Sequence, residues 1–60
     1  MVEIKFKITK LDKQRFFLKI GAVVIVNYDE ERVYSEDKKQ YMPLDLALKA
    51  GLDGEQLGEV

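Results

Sequence analysis

The sixty-residue chain contains no cysteine, histidine or tryptophan, and only one proline. Without cysteine there is no disulfide framework, thiol nucleophile or thiolate metal site. Without histidine the commonest transition-metal ligand and general base is missing, so Ser35 has no imidazole to activate it. Long apolar runs are also scarce. The longest, Ile20 to Val26 with Gly21 inside it, is far short of the roughly 20 residues of a membrane span. Charges at Glu3, Lys5 and Lys7 break up what would be the apolar region of a signal peptide, and a cytoplasmic location is expected. A chain this short leaves little core from which to shape an enclosed cleft. Tyr28, Tyr34 and Tyr41 stand at strand ends, where tyrosines serve as amphipathic packing residues. The expectation is a binding protein, with no catalytic residues, cofactor or metal of its own.

What is present suits a folded domain. Apolar residues make up 47% of the chain and charged residues 35%, a globular composition with a solvated surface. The net charge of −1 conceals an asymmetry: residues 1–20 carry six basic side chains against two acidic, and residues 21–60 carry four against nine. One basic and one acidic surface are expected, serving either a partner or a second copy of the chain.

Val2, Ile4, Phe6 and Ile8 alternate with Glu3, Lys5, Lys7 and Thr9, the period of a half-buried strand. A polar turn over residues 10–14 leads to a second alternation, Phe16, Leu18 and Ile20. Set opposite Ile8, Phe6 and Ile4, these would close a hairpin with one apolar face. The outer face of that hairpin then carries Lys5, Lys7, Arg15 and Lys19 around Phe17. After Gly21, Ala22 to Val26 is apolar on both faces and requires cover on both sides, either from a sheet curled into a small barrel or from a homodimer through this strand. Short strands at 32–35 and 40–42 follow, separated by polar turns. Pro43 and the run Leu44 to Ala50, closed by Gly51, predict a helix at about 43–50 with Leu44, Ala47 and Leu48 inward and Asp45 and Lys49 in solvent. Residues 1–52 form one β-rich domain in this reading, and residues 53–60 a loose C-terminal tail.

The expected architecture is therefore mainly β: four to five short antiparallel strands, partly closed like an SH3-type barrel, with one short C-terminal helix. The opening Val2-Glu3-Ile4-Lys5-Phe6-Lys7, the strand running into Tyr28-Asp29-Glu30 and the helix after Ser35-Glu36-Asp37 resemble the small chromatin proteins of thermophilic archaea. That resemblance implies an SH3-like barrel with a C-terminal helix and duplex DNA bound on a basic triple-stranded sheet. The chain departs from the pattern in its slightly acidic balance, its lack of tryptophan and its lack of a glycine-rich turn after Glu30, so no DNA-contacting residue is carried over.

Three constellations bear on function. The basic hairpin face could hold phosphates while Phe17 stacks on a base, although lysines on an outward sheet face also serve solubility alone. The acidic residues Asp29, Glu30, Glu31, Glu36 and Asp37 lack the spacing and central glycine of a calcium loop and read as two acidic turns. Leu46 to Val60 has the small-residue turn of a helix-turn-helix, but its second half carries Asp53, Glu55 and Glu59 where a groove-reading helix needs basic and amide side chains. The functional expectation is a small non-enzymatic interaction module, an accessory or regulatory subunit binding a protein partner. Its contact residues are Lys5, Lys7, Arg15, Phe17, Lys19, Tyr28, Tyr34 and Tyr41, exposed aromatics beside charge being typical of contact surfaces. The second expectation is nucleic-acid binding on the hairpin's basic face.

Overall fold

The strand alternation that opens the sequence forms an inner strand of the sheet, paired on both sides. The computed structural model of the chain describes residues 3–60; Val2, expected as the first inward residue, lies outside them. Five strands and one short helix follow in the order β1 (Glu3–Lys10), β2 (Val23–Asn27), β3 (Arg32–Ser35), β4 (Tyr41–Pro43), α1 (Leu44–Lys49) and β5 (Asp53–Glu59). All pairings are antiparallel, and the single sheet runs β4-β3-β2-β1-β5 without closing, consistent with a partly closed barrel.

β2 holds the central place its composition demands, between β1 and β3, with Val24, Ile25 and Val26 buried. Val24 and Val26 join Ile8, Leu18, Val33, Met42, Ala47 and Ala50 in the core, with Phe6, Leu11, Phe17 and Leu46 packed against it. Ile25 points to the opposite face and is only 3% exposed, because its cross-strand neighbours Lys5 and Tyr34 flank it. The chain covers both faces of this strand by itself, so the motive for a homodimer through Ala22–Val26 falls away.

Residues 15–20 do not form the expected second strand. β2, branched at nearly every position, takes the edge of β1 that the hairpin would have used, and Arg15 to Leu18 closes instead into a tight turn, Leu18 N–H donating to the Arg15 carbonyl at 2.7 Å. Leu18 is buried as expected, whereas Phe16 and Ile20, also expected inward, are exposed. This loop packs over the core face and is tied down at its start: the N–H groups of Asp12 and Lys13 both donate to the Ala50 carbonyl, at 2.9 and 3.1 Å, satisfying an acceptor the helix end leaves open.

The helix forms one residue shorter at each end than expected and is not C-terminal, since the supposed loose tail returns as β5 along the free edge of β1. Pro43 supplies its N-cap with φ −60°, and the Leu44 N–H donates to the Glu31 carbonyl at 2.8 Å. Ala47 and Ala50 are buried and Leu44 half-buried, but Leu46, not Leu48, takes the remaining inward position. Leu48 shares the solvent face with Asp45 and Lys49 at i,i+3 and i,i+4 spacing and is 60% exposed. β5 brings almost no apolar cargo and is held by its backbone pairing, which Gly54 makes possible: a Cβ there would overlap the Lys7 carbonyl oxygen.

Candidate interaction surface

The two-residue period of β1 to β4 sends one set of side chains into the core and the other to the open face of the sheet. Register aligns Lys5, Ile25, Tyr34 and Tyr41 in one row across four strands. The Tyr34 and Tyr41 rings meet at 5.7 Å between centroids with a 45° tilt, within the range of a favourable aromatic pair. The Arg32 guanidinium lies 4.7 Å from the Tyr41 centroid and the Lys38 ammonium 5.8 Å from that of Tyr34, so each ring carries a cation.

These groups are largely satisfied within the chain. The Tyr34 hydroxyl donates to Glu30 Oε1 at 2.7 Å, and the same phenol raises the Arg32 pKa above its ordinary value by hydrogen bonding. Lys38 Nζ pairs with Glu3 Oε1 at 2.6 Å, and that hydrogen bond holds the Glu3 carboxyl below its usual pKa. Asp37 is likewise lowered, first by the Ser35 hydroxyl at 2.6 Å and then by the Lys39 backbone N–H at 3.0 Å. Lys7, for its part, stands opposite Glu55 of β5. A pinned network of this kind presents fixed rings more than free charge.

Tyr41 also divides two open grooves. On one side, about 540 Å³ is lined by Phe16, Phe17, Lys39, Gln40 and Tyr41. Phe17 packs against the core and lines this groove, while Phe16 stands 81% exposed and Tyr41 58% exposed. Phe16 also has φ 48°, the left-handed region that costs a bulky L-residue roughly 1–2 kcal/mol. On the other side, about 410 Å³ is lined by Glu30, Glu31, Arg32, Tyr41, Pro43 and Asp45. The first groove has a cation and no carboxylate in its lining; the second has three carboxylates.

The expected contact residues are therefore only partly assembled. Lys5, Lys7, Tyr34 and Tyr41 share the open face. Arg15 and Lys19 lie instead in the loop that covers the core face, Lys19 beside a third groove with Leu11, Asp12, Gln14 and Ile20. Phe17 turns inward, so there is no aromatic ring within a ring of lysines, and Tyr28 stands exposed in the turn after β2. Phe16, Arg32, Lys39 and Gln40 were not among the expected contacts. The available signal was the Phe16-Phe17 pair itself, since a short loop over a small core buries one of two adjacent rings and exposes the other. Among the described residues no group of three or more acidic side chains is gathered to hold a metal ion, and no helix is long and apolar enough to cross a membrane.

Compared with protein-family models, curated proteins and solved structures, the chain has no match, so the resemblance to archaeal chromatin proteins rests on its short motifs alone.

Proposed function

We propose that the protein is a non-enzymatic interaction module, an accessory or regulatory subunit of the cytoplasm, that docks a protein partner on the aromatic groove between Phe16 and Tyr41 and on the adjoining Tyr34 row. One observation carries the reading: two large aromatic side chains, 81% and 58% exposed, line a single groove together with a third ring. Scattered surface apolar residues need no explanation, but rings converging on one concavity form the kind of anchor pocket in which binding energy concentrates. The fixed geometry of Tyr34 and Tyr41 lowers the ordering cost of association. The decisive experiment is quantitative affinity capture from extract with the wild type, Phe16→Ser and Tyr41→Ala side by side. A partner held by the wild type and lost by both folded variants supports the surface; partners unaffected by either substitution refute it.

A second reading has its own observation. Lys5 and Lys7 share the open face with Tyr34 and Tyr41, a combination of cations and stacking platforms suited to a nucleic-acid strand. It predicts affinity for short DNA or RNA that falls steeply with salt and vanishes when Lys5 and Lys7 become Glu. Fluorescence anisotropy at two ionic strengths tests it, and affinity indifferent to salt rejects it.

A further inference from the structure

Resting on the docking reading above, we infer that the occupant of the Phe16–Tyr41 groove is an extended, acidic peptide segment with an apolar anchor side chain. The lining fixes the chemistry. Phe16, Phe17 and Tyr41 offer three rings to an apolar group, and Lys39 and Gln40 offer donors to a carboxylate. The lining holds no acidic side chain, Asp37 meeting Lys39 from outside it with its carboxylate bound to the Ser35 hydroxyl and the Lys39 N–H. Beyond Tyr41, Glu30, Glu31 and Asp45 repel the same ligand, so an acidic segment is confined to one side of that ring while a basic one is drawn to the other.

Size and charge count select a peptide. A groove of about 540 Å³ lies within the usual range for small ligands and accommodates two or three side chains, well short of a folded domain's interface. A nucleic-acid strand carries a charge at every nucleotide and calls for a row of cations, whereas this lining holds only Lys39. An extended backbone also has a place to attach. The bonds from Ser35 N–H to the Gln40 carbonyl and from Leu44 N–H to the Glu31 carbonyl mark alternate pairs of the β3–β4 ladder. By the antiparallel rule, Tyr41 then turns its own N–H and C=O outward on the free edge. Pro43, the other outward position, has no N–H to offer, so an added strand is anchored at Tyr41, beside the groove.

The experiment is a titration of the isotope-labelled full chain, followed by amide chemical shifts. Three probes are used: end-blocked Asp-Glu-Trp-Leu-Glu-Asp, its counterpart Lys-Arg-Trp-Leu-Arg-Lys, and a short oligothymidylate. The acidic peptide is expected to shift the amides of Phe16, Phe17, Lys39, Gln40 and Tyr41 and to bind at least about ten-fold tighter there than the basic one. Phe16→Ser should abolish that binding, and Lys39→Glu should invert the preference. Lys39 is exposed, so its variant carries the test if the Phe16 variant does not fold. Equal or tighter binding of the basic peptide at these amides overturns the acidic assignment and leaves the docking surface standing. Stronger shifts from oligothymidylate overturn it in favour of nucleic acid. No movement of these amides with either peptide overturns both the inference and the docking reading.

Discussion

Asn27 donates from Nδ2 to Glu3 Oε2 at 3.3 Å, tying the end of β2 to the start of β1. Its Oδ1 accepts the Glu30 N–H at 2.9 Å and so shapes the turn into β3. Asn27 is fully buried, and a buried polar group stripped of its partner costs about 1–3 kcal/mol. Asn27→Ala should therefore lower stability by about that amount, leaving the Glu30 N–H without its acceptor. Asn27→Asp should be worse, because it sets a second carboxylate against Glu3. Urea denaturation midpoints check both; an alanine variant as stable as the wild type would show that solvent replaces Asn27 in both roles.

Glu3 and Asp37 link stability to pH. Both carboxyl groups titrate below their usual values of 4.5 and 3.8, Glu3 chiefly through Lys38 and Asp37 chiefly through Ser35. A carboxyl whose pKa is depressed by folding stabilises the native state fully above its unfolded value, and that contribution disappears as pH falls through the lower folded value. Melting temperature should thus hold steady down to about pH 4.5 on account of these two groups and decline below it. Lys38→Gln should shrink the Glu3 share of the decline, the Asn27 hydrogen bond keeping part of it, and leave the Asp37 share, which Ser35→Ala reduces while the Lys39 N–H preserves a part. Circular-dichroism melts across the acid range separate the two, since an unchanged pH profile in Lys38→Gln would mean that the ion pair does not persist in solution.

Gly54 and Gly58 make opposite demands on β5. At Gly54 the space is filled by the Lys7 carbonyl, so Gly54→Ala must push β5 away from β1. At Gly58 nothing lies near the missing Cβ, and only the backbone, at φ 118°, resists a side chain. Gly58→Ala should cost roughly 1–2 kcal/mol, and Gly54→Ala more, with β5 released first. Amide hydrogen exchange at β5 and along β1 reads this directly: protection lost in Gly54→Ala and largely kept in Gly58→Ala is the expected pattern.

These substitutions also show what was legible in the sequence. β1, β2, β3, β4 and the helix appear where alternation, β-branching and Pro43 place them, because each carries its own apolar pattern. β5 carries none: Asp-Gly-Glu-Gln-Leu-Gly-Glu has one apolar side chain, Leu57, and it remains half-exposed. Its strand is created by the open edge of β1, a tertiary circumstance that local periodicity does not encode. The 15–20 segment fails for the complementary reason. Its alternation was real but brief, and a more strongly β-forming competitor took the same edge. The candidate site suffered with it, since Phe16 and Phe17 exchanged the faces that alternation assigned them, while the meeting of Tyr34 and Tyr41 depends on the β3–β4 register, which the sequence pattern does not state.

The doubly apolar strand yields a further test. Because Ile25 is covered within one chain by its neighbours Lys5 and Tyr34, Ile25→Lys buries an ammonium beside the Lys5 position without a counter-ion. The variant should lose several kcal/mol, about 3 or more, without passing through a folded monomer released from a dimer. Analytical ultracentrifugation alongside denaturation distinguishes the outcomes, and a folded variant of half the wild-type mass would reinstate an interface between copies.

Phe16 sets stability against binding. Its ring is so exposed that removing it forfeits little burial, while its positive φ suits asparagine better than phenylalanine. Phe16→Asn should therefore leave the fold as stable as the wild type or more stable, by up to about 1 kcal/mol. Phe17→Ala should destabilise by about 1–3 kcal/mol, because that ring packs on the core. If the groove is the docking site, Phe16→Asn should nonetheless lose partner binding, giving a stabilised but inert protein. Paired measurements of unfolding midpoint and affinity decide the matter. A Phe16 variant that loses stability to the same extent as the Phe17 variant would mean that the exposed ring supports the loop, and the strain at Phe16 would then need an explanation other than recognition.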